Sequence, residues 1–410
     1  MVTVPRLAFT AEPTAVALGF VLAGITLGGV SGLVPGLHAN NMALLLASVA
    51  TALPGPPRFV AAAMLAAGVV HTFLDVVPML ALGVPDPAMA ASALPGHRLV
   101  LQGRGHEAIR LSALGSGLAV AFAVPLAVPI TRLMTAVYPT ITAHLSLVLV
   151  AVAALLVLTE SHLGAMLGGV GCLLASAALG LVTLDLDPAA PLDAGGMLAP
   201  LFAGLFGAPV LVDAAFGGGV PPQDDATVAL PRRDVGLVAG VGTLSGALVG
   251  YLPGVSSAVA ATTALLAVPG KLGARGFLVA VSGVNTANTI FALFALVALG
   301  HPRTGVLVAV DRTGAPVDLP LLLSTTGIAA CAGFLLVLSL GDRYLTLVRG
   351  LDYRWLSLVV LSLLVGIAYL FAGGVGVLVF LVAGLLGLLP PRLGTRRVHL
   401  MGVLMGPLAI

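Results

Sequence analysis

Charge is scarce in this chain of 410 residues: Asp, Glu, Lys and Arg together make up 8%, against roughly 25% in an ordinary soluble domain. A soluble fold of this length needs charge to solvate its surface. Here 59% of the residues are apolar and the mean hydropathy is +1.14, which excludes a soluble globule. Net charge is only +2, so there is no basic surface for nucleic acid. Lys271 is the single lysine, and every other permanent cation is arginine. The two cysteines, Cys172 and Cys331, each sit within an apolar run, where burial as a small apolar side chain is expected; they form no redox or metal-site spacing. G-x-S-x-G and H-E-x-x-H are both absent, so no sequence signature points to an enzyme or a metal centre. Arg6 is followed by Glu12, the apolar stretch from Thr14 runs into a Gly-rich one, and no small-residue cleavage site stands out. That run is therefore expected to be a helix and not a removed signal peptide.

What the chain does have is long apolar runs, near 14–32, 59–84, 108–130, 141–158, 163–184, 196–212, 235–252, 277–300, 320–340, 355–371 and 373–389, with a last piece at 398–410. A bilayer core of about 30 Å takes about 20 apolar residues per helix. The expected fold is thus an all-α polytopic integral membrane protein of the cell membrane, with about 10–12 transmembrane helices. Residues 37–53 and 255–268 are apolar but short, and read as re-entrant hairpins or half-helices. The longest polar break, 213–234, divides the chain into a first half, 1–212, and a second, 235–410. Arginine-rich segments at 95–110 and 390–397 are expected on the cytoplasmic side. Glu160 and His162 read as a solvated turn, and Asp213 likewise.

The 52 glycines and 28 prolines are arranged, not scattered. Gly24, Gly28, Gly32, Pro35 and Gly36 recur as Gly242, Gly246, Gly250, Pro253 and Gly254, at a constant offset of 218 residues. A second block follows each copy. Gly68 to His71-Thr72 leads to Gly83-x-Pro85, and Gly283 to Asn288-Thr289 leads to Gly300-x-Pro302. Each half thus offers a glycine-lined helix, a Pro-Gly break, a short apolar hairpin and a polar-headed helix. This predicts two related, inverted repeats. Paired interruptions of this kind point to the binding site of a secondary transporter. Pro-Gly stops a helix within the membrane and leaves backbone groups unpaired, which only a cavity or ligand makes tolerable. A half-helix N-terminus also favours an anion.

The candidate site residues follow from this. Pro35 and Gly36 are followed by His38, Asn40 and Asn41; Pro253 and Gly254 are followed by Ser256 and Ser257. These polar side chains suit either a ligand or the cap of a half-helix. His71 and Asp75 share a helix face beside Thr72, and an intramembrane carboxylate suggests a proton or cation path. Asn285, Asn288 and Thr289 form the counterpart cluster, suited to ligand coordination or to bonds between helices.

At these residues the sequence resembles the large permease subunit (TctA) of tripartite tricarboxylate transporters. Four ordered stretches carry the likeness: Gly32 to Leu37; Leu80 to Pro85 with Leu94 to Gly105, which contains Gln102-Gly103-Arg104; Gly204 to Leu211; and the second Pro-Gly with Asn285 to Pro302. Departures include Ala81 where the family's motif has Asn and Pro85-Asp86 where it has Pro-Gly, which suggests a divergent, archaeal branch. The resemblance implies ion-coupled uptake of a small carboxylate, with Na⁺ or H⁺ as coupling cation and no other cofactor. It also implies two partners besides membrane lipid, a small membrane subunit and an extracytoplasmic solute-binding protein. The alternative function is a polyprenyl-phosphate translocase, which would need a buried arginine beside the hairpins, and Arg58 and Arg275 are the nearby candidates.

Overall fold

The computed structural model describes residues 11–35, 37, 39–49, 54–83, 93–192, 196–216, 220–224, 227–252, 255–264 and 272–410. All of its regular structure is helical. The first half holds α1 (Ala11–Leu33), α2 (Ala39–Val49), α3 (Pro57–Leu74), α4 (Val76–Leu82), α5 (Ala93–Leu101), α6 (Gly105–Ala143), α7 (Leu145–Leu158), α8 (Leu163–Thr183), α9 (Leu198–Phe202) and α10 (Ala208–Ala215). The second holds α11 (Arg232–Tyr251), α12 (Ser257–Ala264), α13 (Gly273–Leu299), α14 (Gly305–Arg312), α15 (Leu319–Arg349), α16 (Tyr353–Gly387), α17 (Leu389–Arg392) and α18 (Gly402–Ala409). Among the described residues, nine helical stretches are long and apolar enough to cross a membrane. Their outward faces carry large apolar side chains, such as Leu133, Leu167, Trp355 and Leu385, as lipid contact requires. This is a multi-pass membrane protein.

The two runs 355–371 and 373–389 form two helical segments that meet at a kink, together labelled α16, where Ala372 and Gly373 leave the helical conformation. Gly373 takes φ 57° and ψ −153° at that point, a conformation that glycine alone adopts readily. A side chain there would also strike the Ala189 carbonyl oxygen. α7 is only 14 residues long. The Gly204 to Leu211 stretch forms a π-helical turn, Ala203–Gly207, leading into α10. It packs on α16 through Gly204 and Gly387 and lies in the helix packing, away from the α3–α13 contact described below.

The glycine columns explain the core. In α1, a Cβ on Gly24 or Gly28 would overlap the carbonyl oxygens of Ala63 and Ala67 in α3, and one on Gly32 would lie 2.8 Å from Leu74 Cβ. In α11, a Cβ on Gly242 would overlap Ala280 O of α13. On Gly246 it would sit 2.7 Å from Val284 O, and on Gly250 2.9 Å from Phe291 Cβ. Each column lets two backbones meet where any side chain would hold them apart, the close approach that small residues give membrane helices. The partners also correspond in order, Ala63 with Ala280, Ala67 with Val284 and Leu74 with Phe291. In that register His71 falls opposite Asn288, and Thr72 opposite Thr289.

The two inner helices stand out by burial. In the α3–α4 stretch and in α13, 94% of the most apolar window is buried, against 28% for α8 at the periphery. α13 touches both α3 and α6. Thr72 meets Thr286 at 3.3 Å, Ser112 meets Ser282 at 2.8 Å, and Ser116 donates to Ser282 O at 3.3 Å. The polar helix of the second half is therefore built into the core of the first.

Candidate functional site

The site lies where α3–α4 crosses α13. The two run antiparallel: Thr72 meets Thr286, Asp75 meets Asn285, and farther along α4 Leu80 lies against Gly96 together with Leu278, farther back along α13. Asp75 occupies the junction between α3 and α4, with its N–H still donating to His71 O at 2.9 Å. Pro78 follows in the first turn of α4; lacking an N–H, it cannot continue the helical ladder back to Leu74. The junction places a carboxylate that is 6% exposed inside an apolar core. Its Oδ2 accepts from Asn285 Nδ2 at 2.7 Å. A buried carboxylate without such a donor would be far costlier.

One turn earlier, His71 is fully buried, and its Nδ1 lies 2.9 Å from Ser31 Oγ of α1. Gly32, next to Ser31, makes that contact possible: a Cβ on it would come within 3.1 Å of His71 O. Thr72 donates to Val69 O at 2.8 Å. On α13, Asn288 lies one turn beyond Asn285 on the same face. It donates to Ser257 Oγ at 3.2 Å, while its Oδ1 is buried with no hydrogen-bond partner among the described residues. Ser257 opens α12, and Ser256 Oγ accepts from Val259 N at 3.4 Å, so Ser256 acts as the helix cap. Thr289 is buried beside them. Helices α1, α3, α12 and α13 thus gather His71, Thr72, Asp75, Asn285, Asn288 and Ser257 in one polar seam.

Pro35 is buried at the turn that ends α1. Asn40 and Asn41 lie in α2, with side chains outside the described set. Gly36, His38, Pro253 and Gly254 lie outside the described residues.

Two buried clusters escaped the sequence reading. Glu107, at the start of α6, is fully buried against Arg104 and Arg275. The other corrects an expectation: Glu160 is no solvated residue. Its side chain is 6% exposed, and its Oε1 accepts from Arg396 Nε at 2.8 Å, from Thr395 at 3.1 Å and from His399 at 2.7 Å. Burial works to raise the Glu160 carboxyl, but Arg396 and His399 outweigh it and hold it below the usual carboxylate range. Burial pushes His399 down, partly offset by Glu160. His162 does sit in an exposed turn, where it caps α8. Asp213 is largely exposed, paired with Arg397 at 2.8 Å.

Comparison with known proteins agrees with this architecture. The family model described as "Tripartite tricarboxylate transporter TctA family" matches residues 18–402. An uncharacterized protein of the archaeon Methanocaldococcus jannaschii is 26% identical over 403 residues, covering 95% of this chain and 97% of that protein. No solved structure matches. A match over nearly the whole length, on an all-helical membrane fold, settles the assignment: the chain belongs to the tripartite tricarboxylate transporter TctA family.

Proposed function

We propose that this permease is a secondary active transporter of the cell membrane that takes up small carboxylates, driven by a coupled cation, H⁺ or Na⁺. The observation that carries the reading is the antiparallel crossing of α3–α4 and α13. There a buried Asp75 meets Asn285, and the two helices bear matching glycine contacts. Helices that correspond in sequence but run in opposite directions are what inverted repeats produce. Two such halves, 1–212 and 235–410 joined by 213–234, can rock about a shared site and expose it alternately to each side. Asp75 and His71 supply the titratable or cation-binding chemistry. Asn288 and Ser257, with the short helix α12 that Ser256 caps, supply hydrogen bonds to the substrate, and His38 is a further substrate ligand. A small membrane subunit and an extracytoplasmic solute-binding protein would deliver the substrate.

The lipid-carrier alternative gains nothing. Arg58 is exposed, and Arg275 is engaged by Glu107. The test of the site is uptake by Asn288→Ala and His38→Ala. Both are expected to lower transport to background while the protein reaches the membrane in normal amount. Normal uptake by both variants would remove these residues from the site.

A further inference from the structure

Glu107 gathers three separate parts of the chain onto one carboxylate. The side chain is 0% exposed. It accepts from Arg104 Nε at 2.5 Å, from Arg275 Nε at 2.8 Å and Nη2 at 3.2 Å, and from the Ala229 N–H at 2.9 Å. Arg104 precedes α6 in the first half, Arg275 lies in the first turn of α13 in the second, and Ala229 belongs to the segment joining the halves. Gln223 of the same segment reinforces the junction. Its Oε1 accepts from Gly105 N at 2.6 Å, and its Nε2 donates to Val100 O at 3.1 Å. Asp224 N donates to Gly103 O at 2.8 Å. Arg275 lies about 15 Å along α13 from Asn285, so the ion pair and the candidate site share one helix.

We propose that the Glu107–Arg275 pair is the lock that closes this face of the protein during transport, formed in the conformation described and released when the face opens. This rests on the alternating-access reading above. The chemistry suits a two-position device. A buried carboxylate stripped of its partners while dry is strongly disfavoured, yet once water reaches it the same pair contributes little. The carboxylate is sealed, but the Arg104 and Arg275 side chains are 34% and 30% exposed, so the junction lies one side chain from the protein surface. Because Ala229, Gln223 and Asp224 all bond to Glu107 or to the α5–α6 backbone, the connecting segment stays with that side when α13 is released.

The experiment uses the full chain in membrane vesicles, with Cys172 and Cys331 replaced by Ala and a reporter thiol at Ser282→Cys. Ser282 is 2% exposed and lies on α13 between Arg275 and Asn285. In the Glu107→Gln variant, an impermeant maleimide added on the Glu107 side is expected to label the reporter several-fold faster than in the parent. Equal labelling would show a static fastening and overturn the lock. In a second arm, Glu107→Cys/Arg275→Cys is joined by a short cleavable bifunctional thiol reagent. Transport is expected to stop on joining and to return on cleavage, and transport that continues while joined would overturn the proposal. Joined and cleaved samples are the same folded molecules, so misfolding cannot mimic the result. The labelling arm needs no substrate; a failure of the permease reading would show as absent transport in the parent and leave that arm intact.

Discussion

Replacing Asp75 with Asn is expected to abolish gradient-driven accumulation of substrate while leaving exchange of substrate across the membrane in place. Asn keeps the size and planar shape of the side chain, and its carbonyl oxygen can still accept from Asn285, which now donates at 2.7 Å. What it loses is the charge, and with it the ability to take up and release a cation. A carrier fixed in the neutral form can still reorient with substrate bound, so exchange continues, but the ion gradient no longer pulls the cycle in one direction. Counterflow and gradient-driven uptake, measured on the same proteoliposomes, separate the two. Undiminished accumulation would show that Asp75 is not the coupling group. Loss of both activities would assign it to substrate binding or to the fold. Asn285→Asp makes a poor control, because it puts two carboxylates in one buried space.

Gly28→Val is expected to damage the scaffold severely. The added Cβ would overlap the Ala67 carbonyl oxygen and approach Ala67 Cα to 2.9 Å. These are backbone atoms of α3 and cannot rotate away, so α1 must move off. Overpacking typically costs about 1–3 kcal/mol, and separation of the helices would also break the Ser31–His71 bond at 2.9 Å. The expected result is a clear fall in thermal unfolding temperature and in the yield of monodisperse protein in detergent. Gly19→Val is the control on the same helix, because nothing lies within 4 Å of a Cβ there. Equal stability of the two variants would mean that the glycine column does not hold α1 to α3.

Much of this was legible in the sequence because membrane proteins reveal their exceptions. Apolar runs gave most of the helices to within a few residues, although α6 and α15 continue to Ala143 and Arg349, well past the runs 108–130 and 320–340, and polar groups inside the runs had few harmless explanations. His71, Asp75 and Asn285 stood out for that reason, and the glycine columns showed which helices approach closely. What stayed hidden was pairing over long sequence separation. Nothing near Asp75 names Asn285 as its donor, and nothing near Glu107 names Arg275. Ser31 was masked by the glycines on either side of it, since a serine in such a run reads as one more small residue. Glu160 was misread because a charged residue between two apolar runs is usually wet; its partners Arg396 and His399 come from the far end of the chain. The break within α16 was legible, because one apolar run ends and the next begins where Ala372 and Gly373 leave the helical conformation.

The central claim is ion-coupled carboxylate transport through the α3–α13 crossing. Its most direct test is uptake of labelled citrate, smaller dicarboxylates and aromatic acids into proteoliposomes under an imposed Na⁺ or proton gradient. The account predicts accumulation of at least one acid that requires one of the two gradients and collapses with an ionophore for that ion. Intact, inserted protein that neither accumulates nor exchanges any acid under either gradient would contradict it.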